Sequence, residues 1–367
     1  MSLVRYASVM RDLGPAISLR GLERMARDVL PTAHFDYIAG GGWDEITVAD
    51  NEAAFARARL IPRFLVDVSD VRTGTTILGS TVAAPVGFAP TALHDVVHPE
   101  GELVGARVFA ELGLPFVLST LSNRSIEDVA AAGADGIRWF QLYVNVDRGV
   151  ARSHVERAEA AGYRAIVVTV DVPGDGHRPR DLRNAFEAPG TFGNFSGDHV
   201  YDAPFGELLG GLMDAALTWA DIDEIRGWTT LPVVVKGLLS PEDARIAVDH
   251  GVAGIWVSNH GGRQLDRAIA SLDALAPIVD AVAGRAEVFL DSGVRDGVDV
   301  VTALATGARA VFLGRPWLYA LAIGGEPGLR AAASSLAIET KRAMALLGTA
   351  TVADIGRDHL AGGVDRA

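Results

Sequence analysis

The sequence predicts an α/β fold, namely a (β/α)8 TIM barrel with an N-terminal helical extension and a long loop after the fourth strand. Eight short apolar runs rich in Val, Ile and Phe alternate with amphipathic segments that end in glycine, a pattern typical of repeated strand–helix units. Strands of such a barrel are buried on both faces, so they read as continuous apolar runs. A chain of 367 residues fits one barrel of this kind, and a doubly wound open sheet is the alternative.

The predicted strands follow one another along most of the chain. They occupy residues 82–92, 115–122, 138–144, 165–171, 232–237, 254–260, 287–293 and 310–315. Between them, residues 99–113, 147–162 and 240–251 space their apolar side chains at helical intervals and end in glycine, which predicts helices. The last of these begins with Ser240 and Pro241 followed by two acidic residues, the pattern of a capped helix start.

Two parts of the chain lie outside this repeat. Residues 1–81 contain helical patterns at 19–30 and 49–59, and we expect them to form an extension that packs on the barrel of residues 82–367. The segment 172–217, after the fourth strand, is long and rich in glycine. Loops of this length are usually functional or mobile, so we predict a lid over the site.

The composition excludes several classes of function. The formal net charge is -13, whereas binding to nucleic acid or to an anionic membrane requires a basic surface. The chain has no cysteine, which removes disulfides, thiolate nucleophiles and cysteine metal sites together, and we predict no metal site. No apolar run has the length of a signal-peptide core or of a membrane span. We therefore expect a cytoplasmic protein that binds neither nucleic acid nor membranes.

Polar side chains gather at the carboxyl ends of the predicted strands, where the active sites of such barrels lie. In chain order they are Thr91, Ser119, Gln141, Tyr143, Thr169, Asp171, Lys236, Ser258, His260, Asp291 and Arg315. Each of them alone could cap a helix or satisfy backbone groups. Lys236 differs, because it follows the apolar run PVVV and a charge inside a barrel mouth is costly unless it is paired or used. The set as a whole predicts an active site.

The last two strands lead into glycine turns that each carry an arginine. The stretches are DSGVRDG at 291–297 and GRPW at 314–317, with Arg295 and Arg315. The loops after the seventh and eighth strands are the usual phosphate site of this fold. Backbone N–H groups at glycine turns and helix N-termini bind phosphate, and an arginine pairs with it through two hydrogen bonds. We therefore predict that a phosphorylated cofactor or substrate binds here.

These motifs together resemble the FMN-dependent L-2-hydroxy-acid oxidase and dehydrogenase family, which includes glycolate oxidase, lactate oxidase and mandelate dehydrogenase. The resemblance covers nearly the whole chain and rests on the order and spacing of many motifs. They are FDYIAGG (35–41), PTA (90–92), HPEGE (98–102), FQLYV (140–144), TVDVP (169–173), RPRDLRN (178–184), VVKG (234–237), VSNHGGRQLD (257–266), DSGVR (291–295) and GRP (314–316). The resemblance implies that an L-2-hydroxy acid is oxidised to a 2-oxo acid with FMN as cofactor.

The resemblance also implies a role for each residue that would meet the substrate. His260 would take a proton from the substrate while the C2 hydride, or its electrons by a carbanion route, reach flavin N5. Asp171 would orient the imidazole and stabilise the imidazolium that forms. The implied substrate-binding residues are Arg263, Arg178 and Tyr37 for the carboxylate and Tyr143 for the oxygen at C2.

The same resemblance implies that FMN lies across the carboxyl ends of the strands. Lys236 would lie near flavin N1 and O2, where a positive charge favours the anionic reduced flavin. Asp291 would reach the ribityl chain, and Ser292 belongs to the same cofactor turn. The residues that would line the isoalloxazine ring are Pro90, Thr91, Ala92, Ser119, Gln141, Thr169 and Ser258. The phosphate would meet Gly293, Arg295, Gly314 and Arg315.

Several positions bear on the substrate and on the electron acceptor. Leu121 stands where glycolate oxidases have tryptophan, and we expect this difference to reshape the pocket for the substrate side chain. Ser292 replaces a common glycine in the cofactor turn. Asp175 and His177 lie where family members vary, and we expect Asp175 to lie in solvent rather than to face the substrate. Ala92 is the oxidase-like residue, where the membrane-bound mandelate dehydrogenase branch has glycine. We therefore expect O2 as acceptor, and the resemblance implies a homotetramer.

Three alternatives stay open at this point. One is an L-2-hydroxy-acid dehydrogenase that uses another acceptor. Another is a different FMN barrel, such as an isomerase, which would keep the phosphate and ring sites without needing His260, Asp171, Arg263 and Arg178. The last is a flavin-binding module without catalysis. An activity of the inosine-monophosphate-dehydrogenase kind is excluded, because that chemistry requires a cysteine and the chain has none.

Overall fold

The computed structural model describes residues 18–195 and 213–362. Its strands are β1 (Thr75–Ile77), β2 (Ser80–Val82), β3 (Val86–Phe88), β4 (Phe116–Ser119), β5 (Arg138–Leu142), β6 (Ile166–Thr169), β7 (Val233–Leu238), β8 (Gly254–Val257), β9 (Glu287–Leu290) and β10 (Ala310–Leu313). Strands β3 to β10 pair in parallel, in chain order, and close into an eight-stranded barrel. The structure therefore confirms the predicted (β/α)8 fold and excludes the open sheet.

The helices surround the barrel and extend it at both ends of the chain. They are α1 (Leu19–Val29), α2 (Thr32–Ala39), α3 (Ile46–Arg57), α4 (Gly101–Glu111), α5 (Ile126–Ala132), α6 (Arg148–Ala160), α7 (Pro179–Arg183), α8 (Trp219–Arg226), α9 (Pro241–Asp249), α10 (Ser271–Val282), α11 (Gly297–Thr306) and α12 (Arg315–Leu347). The predicted cap of α9 is confirmed, since Oγ of Ser240 accepts hydrogen bonds from the backbone N–H groups of Glu242 and Asp243.

A β-hairpin precedes the barrel, although the sequence pattern predicted only helices before residue 82. Strands β1 and β2 pair antiparallel around Leu78 and Gly79, whose φ angles are 44° and 76°. Two consecutive residues with positive φ form the tight turn that suits the twist of a hairpin. The first predicted strand therefore begins too early, because Val82 ends β2 and the barrel strand begins only at Val86.

Aromatic side chains fill the interior of the barrel. Trp139, Trp256, Phe289 and Phe312 are each 0% exposed and contact one another, with the rings of Trp256 and Phe312 only 4.2 Å apart between centroids. The hairpin residue Ile77 belongs to the same buried cluster. A barrel interior packed in this way is a core rather than a channel, so a ligand must bind at the carboxyl ends of the strands.

The predicted lid lies only partly within the described residues. Its first part contains the short helix α7, its last part leads into α8, and residues 196–212 lie outside the described chain. Within residues 18–195 and 213–362, no helix is both long enough and apolar enough to cross a membrane.

Candidate active site

A cavity of about 1130 Å³, including solvent at its mouth, opens at the carboxyl ends of the barrel strands. The carboxyl ends of the strands are where small molecules bind in this fold. Most of the predicted site residues line it, namely Tyr37, Pro90, Thr91, Ala92, Ser119, Tyr143, Arg178, Lys236, His260, Arg263, Asp291, Ser292, Gly293, Arg295, Gly314 and Arg315. The others lie behind this wall, in contact with residues that line it: Gln141, Thr169, Asp171 and Ser258.

His260 and Asp171 form a hydrogen-bonded pair at the cavity wall. His260 follows β8 and has a φ of 58°, a left-handed conformation that is uncommon for residues other than glycine. Its Nδ1 atom lies 2.9 Å from Oδ1 of Asp171, which follows β6. An ionised carboxylate only accepts hydrogen bonds, so Nδ1 carries the proton. Nε2 therefore keeps a lone pair with which it can accept a proton.

The electrostatics of the pair suit a general base. Burial lowers the pKa of His260, and the charges of Lys236 and Arg263 act in the same direction, while Asp171 opposes them. Burial acts to raise the pKa of Asp171, but His260 and Lys236 outweigh it and the net shift is downward. At neutral pH the pair is therefore an ionised carboxylate beside a neutral imidazole, which is the protonation state that a base requires.

Arg178 and Arg263 bring two guanidinium groups to the same cavity. Nη1 of Arg263 donates a hydrogen bond to the backbone oxygen of Tyr37 at 2.5 Å, and its guanidinium carbon lies 4.9 Å from the centroid of the Tyr37 ring. Burial lowers the pKa of Arg263, and the positive charge of Arg178 lowers it further. The two cations therefore repel each other, and an anionic group between them would be stabilised.

Asp175 lies closer to this site than the sequence suggested. Its side chain is 38% exposed, but it lines the cavity and its carboxylate pairs with the guanidinium of Arg178. Asp175 is thus exposed, as expected from the sequence, but it also lines the cavity and pairs with Arg178, which was not expected. His177 is exposed, and its backbone oxygen accepts a hydrogen bond from the N–H of Trp43.

Two tyrosines add hydroxyl groups to the cavity. Tyr37, on α2, stacks on Phe186 with the centroids 4.2 Å apart, and Tyr143 follows β5. Burial raises the pKa of both hydroxyls above the ordinary value, and Asp171 adds to the increase at Tyr143. Both groups therefore stay protonated at neutral pH and can donate hydrogen bonds.

Lys236 is buried beneath the cavity floor with one hydroxyl and one carboxylate. The lysine is 3% exposed, its Nζ donates to Oγ of Ser258 at 3.0 Å, and Oδ2 of Asp291 lies 3.5 Å away. The same Ser258 oxygen accepts a hydrogen bond from the backbone N–H of His260 at 3.0 Å. The Lys236 charge is thus paired, as one of the two outcomes expected from the sequence, and Ser258 connects it to the backbone of His260.

A chain of hydrogen bonds links three predicted residues across neighbouring strands. Strand pairing puts Ser119 beside Gln141, and Oγ of Ser119 donates to Oε1 of Gln141 at 3.2 Å. Nε2 of Gln141 donates to Oγ1 of Thr169 at 3.0 Å. This chain sets the orientation of the Gln141 amide, and only Ser119 of the three lines the cavity.

The opposite end of the cavity is cationic and bounded by glycine turns. Gly293 has a φ of 93°, and a Cβ atom there would lie 2.2 Å from the backbone oxygen of Asn51, so no side chain fits. Nη2 of Arg295 lies 3.1 Å from a carboxylate oxygen of Glu52. Arg315 begins α12, so a helix N-terminus points at this end.

The Arg315 guanidinium is directed by the N-terminal extension. It donates to the backbone oxygens of Ile38, Gly40 and Gly261 at 2.8 to 2.9 Å. Burial lowers the pKa of Arg315 to about 10, with the charge of Arg263 as a further cause. The group is nevertheless protonated at neutral pH, and it adds positive charge to the end of the cavity where the sequence predicted a phosphate.

A sequence profile of the FMN-dependent dehydrogenase family matches residues 26–362. The chain belongs to this family. It is 45% identical over 364 residues to L-lactate oxidase of Nostoc sp., covering 96% of this chain and 100% of that protein, and 43% identical over 343 residues to human 2-hydroxyacid oxidase 2, covering 93% and 97%. A solved structure of mandelate oxidase has a TM-score of 0.86 at 44% identity, covering 94% of this chain and 97% of that one. The resemblance seen in the motifs is confirmed.

FMN is the cofactor of the FMN-dependent dehydrogenase family and therefore of this chain. The donor set fits it. Arg295, Arg315 and the start of α12 offer positive charge for a phosphate at one end of the cavity, and buried Lys236 adds a further positive charge to its lining. The turn at Gly293 is held by close packing, because a Cβ atom there would collide with the backbone of Asn51.

Several residues of the family motif around His260 were not assigned a role from the sequence. Asn259 and Asn51 exchange two amide hydrogen bonds, of 2.9 and 2.7 Å, and thereby join the extension to the loop that carries His260. Oδ1 and Oδ2 of Asp266 accept backbone N–H groups at the start of α3. Nε2 of Gln264 donates to the backbone oxygen of Asp171 at 3.0 Å. The only sequence signal for Asn259, Gln264 and Asp266 was that they belong to the same motif as His260. Their hydrogen-bond partners lie far away in the chain and could not be predicted.

An apolar wall faces the polar groups of this family's site. Leu121 and Met213 are buried and form a small hydrophobic cluster with Ala92, Tyr143 and Val172, all of which line the cavity. The sequence had pointed to Leu121, Ala92 and Tyr143 but not to Met213. The cavity thus has a charged side for an acid group and an apolar side for a carbon chain.

Proposed function

We propose that the protein oxidises an L-2-hydroxy acid to the 2-oxo acid, with FMN as cofactor and O2 as the final acceptor, which gives H2O2. The observation that carries this proposal is the hydrogen-bonded pair of His260 and Asp171 on the same cavity as two buried arginines. A base beside two cations suits a substrate with a hydroxyl next to a carboxylate. The names of the relatives, lactate oxidase and glycolate oxidase among them, point the same way.

His260 acts as the base in this proposal. Asp171 accepts the Nδ1 hydrogen, so Nε2 is free to take a proton from the substrate, and the carboxylate then stabilises the imidazolium that results. Oxidation removes two electrons and two protons from the substrate; one proton goes to His260, and the other accompanies the electron pair to the cofactor. Bound FMN would accept the electron pair and pass it on to O2, which takes up two protons to form H2O2.

The arginines and the tyrosines position the substrate. Arg178 and Arg263 bind the carboxylate, and the repulsion between their charges makes an anion between them favourable. Tyr37 donates a further hydrogen bond to the same group. Tyr143 donates to the oxygen at C2, and its raised pKa keeps the proton on the tyrosine throughout. These contacts present C2 to the cofactor in one orientation.

The remaining cavity residues serve the cofactor. Lys236 supplies a fixed positive charge beside the flavin ring, where it stabilises the negative charge that arrives on reduction. The other ring-lining residues of the proposal are Pro90, Thr91, Ala92, Ser119, Gln141, Thr169 and Ser258. Asp291 and Ser292 meet the ribityl chain, and Gly293, Arg295, Gly314 and Arg315 meet the phosphate.

The apolar wall favours a substrate with an apolar side chain at C2. Leu121, Met213 and Val172 line the cavity beside the polar groups, and contact with them excludes water from a methyl or larger group. Glycolate carries only hydrogen at this position and gains nothing from the wall. We therefore propose that longer L-2-hydroxy acids are better substrates than glycolate.

The assembly and the location of the protein are further parts of the proposal. We propose a homotetramer in which the extension and the barrel of each chain form one unit. An exposed apolar stretch supports an oligomer. It consists of Phe64, Leu65 and Val66, whose accessibilities relative to a fully exposed residue are 79%, 106% and 45%. The cysteine-free composition is compatible with a cytoplasmic location.

The visible spectrum of the purified protein tests the proposal first. A flavin spectrum is expected, and L-2-hydroxy acids added without air should bleach it. Admission of O2 should restore the colour and produce peroxide. A colourless protein that takes up no FMN would overturn the assignment. Bleaching without rapid recovery in O2 would instead favour the dehydrogenase that uses another acceptor.

A further inference from the structure

A buried histidine that the proposed chemistry does not use lies directly behind the cavity wall. His94 follows β3 and is 1% exposed. Its ring stacks on Phe88 with the centroids 5.3 Å apart, and it meets the edge of Phe116 at 6.5 Å. A Cβ atom on Gly101 would lie only 2.4 Å from the Cβ of His94, so the glycine permits the helix to approach the histidine. The ring therefore has one orientation.

The backbone of His94 is anchored as well. Its N–H donates to Oε1 of Glu102 at 3.2 Å, and the same oxygen accepts the N–H of Asn123 at 2.9 Å. Glu102, which belongs to the HPEGE motif, thereby connects the loops that follow β3 and β4. The position of the histidine is thus determined by the scaffold and not by the cavity.

The two ring nitrogens of His94 have different surroundings. Nε2 lies 2.7 Å from Oγ1 of Thr91, which lines the cavity, whereas Nδ1 has no hydrogen-bond partner among the described residues. A hydrogen on Nδ1 would be a buried donor without an acceptor, which is costlier than a lone pair in the same place. The tautomer with hydrogen on Nε2 is therefore favoured, and His94 donates to the Thr91 oxygen.

Because His94 donates to Oγ1 of Thr91, the hydrogen of the Thr91 hydroxyl remains available for another acceptor. A hydroxyl has a single hydrogen, and in this arrangement that hydrogen is not taken by His94. The flavin ring presents mainly carbonyl oxygens and ring nitrogens, which are acceptors. We infer that His94 is a positioning residue that turns the Thr91 hydroxyl into a hydrogen-bond donor toward the bound flavin. This inference rests on the flavin site of the proposed function.

A double-mutant cycle on the FMN dissociation constant tests the inference. His94→Leu removes the donor, and Thr91→Val removes the hydroxyl at nearly constant shape. We expect His94→Leu to raise the FMN dissociation constant about 3- to 10-fold, the effect of one hydrogen bond, and to make the flavin midpoint potential more negative. In the Thr91→Val background the same substitution should change the constant less than about 2-fold. His94→Gln, which keeps an N–H donor, should restore most of the affinity.

A matched control separates positioning from general packing. His359 is also buried, at 3% exposed, but it lies outside the cavity. His359→Leu should lower the thermal midpoint while the FMN dissociation constant and the flavin potential stay unchanged. An equal loss of affinity from His94→Leu with and without the Thr91 hydroxyl would overturn the inference, as would no loss at all in the wild-type background.

A second measurement applies even where His94→Leu does not fold. Nitrogen NMR of protein labelled in histidine distinguishes the two tautomers directly, with His94→Gln assigning the signal. Hydrogen on Nε2 is the expected result, and hydrogen on Nδ1 would overturn the inference. If the wild-type protein binds no FMN, the proposed function itself fails, whereas normal FMN binding with an unaffected His94→Leu variant removes only the role of His94.

Discussion

Oδ1 of Asp171 lies 2.9 Å from Nδ1 of His260, and this contact leaves Nε2 as the only ring nitrogen able to accept a proton. His260→Asn should therefore keep the flavin colour and slow anaerobic reduction by the substrate at least 10²-fold, the usual contribution of a general base. Stopped-flow absorbance of the flavin measures this rate. Reduction at the wild-type rate would mean that another group takes the proton.

The rise of kcat/KM on the acid side of its pH profile, the acid limb, should reflect the pKa of His260. Catalysis needs the neutral imidazole, so kcat/KM should rise with pH through the pKa of His260 and stay level above it. Burial, Lys236 and Arg263 lower this pKa below the ordinary value of 6.5, so the limb should lie below pH 6.5.

Asp171→Asn should shift the same limb, in a direction that follows from its charge. The carboxylate of Asp171 raises the pKa of His260, so its removal should lower that pKa and move the limb to lower pH, together with a large loss of rate. The kcat/KM of the residual activity from pH 4 to 8 is the measurement. A limb that moves to higher pH would contradict the assignment of His260 as the titrating group.

Asp175→Asn should make the substrate bind more tightly. The Asp175 carboxylate pairs with Arg178, so it competes with the substrate carboxylate for the same guanidinium. Because this aspartate is 38% exposed, the competition is modest, and we expect KM to fall about 2- to 5-fold with kcat nearly unchanged. Asp181→Asn is the control, since Asp181 lies 3.6 Å from Arg178 and should have a smaller effect. A higher KM in Asp175→Asn would show that Asp175 helps to bind the substrate.

Leu121→Trp should narrow the range of substrates. The larger ring would fill the apolar side of the cavity, so acids with long or aromatic side chains should lose more activity than glycolate. We expect the ratio of kcat/KM for a bulky acid to that for glycolate to fall at least about 10-fold. Steady-state peroxide formation with both acids measures the ratio. An equal loss of kcat/KM for both acids would show that the substrate side chain does not contact residue 121.

Substitutions of Ser292 separate the cost of its strained backbone from the contribution of its hydroxyl group. Its φ of 74° is strained for a side chain, whereas its hydroxyl donates to Asp291 at 2.8 Å and accepts the N–H of Gly261 at 3.0 Å. Ser292→Ala removes the hydroxyl and keeps the strain, and Ser292→Gly removes both. Ser292→Gly should therefore be more stable than Ser292→Ala by about 1 kcal/mol in urea unfolding. Equal stabilities would show that the backbone strain is absorbed elsewhere.

The barrel and the arrangement of its polar residues were predictable, because parallel strands bring their carboxyl ends to one place. Once eight apolar runs were found, residues as distant as Thr91 and Arg315 had to meet. That His260 and Asp171 lie together at the cavity could be expected because their motifs are specific. The hairpin at Leu78 was missed, since its turn uses a leucine at positive φ where glycine or asparagine is the usual signal.

The choice of partners within the site was not predictable. Nothing in the sequence shows that Asn51 pairs with Asn259, because this contact depends on how α3 packs against the barrel. The contact of His94 with Thr91 is local, three residues apart, but the sequence does not show which way the two side chains turn in their loop. Asp175 is exposed as expected, but its pairing with Arg178 at the cavity became visible only in the structure. Spacing along the chain identifies the residues at a site but not the hydrogen bonds between them.

The contacts of the extension also set an order of events during synthesis. Arg315 donates to the backbone oxygen of Ile38, 277 positions earlier, and Arg263 to that of Tyr37, 226 positions earlier. A ribosome adds about 5–20 residues per second, so Ile38 would wait roughly 14 to 55 s for its partner. The N-terminal extension is made before the barrel, but its hydrogen bonds to Arg263 and Arg315 form only after most of the barrel has been made. A nascent chain released before its final strand would contain most of a barrel but no finished active site.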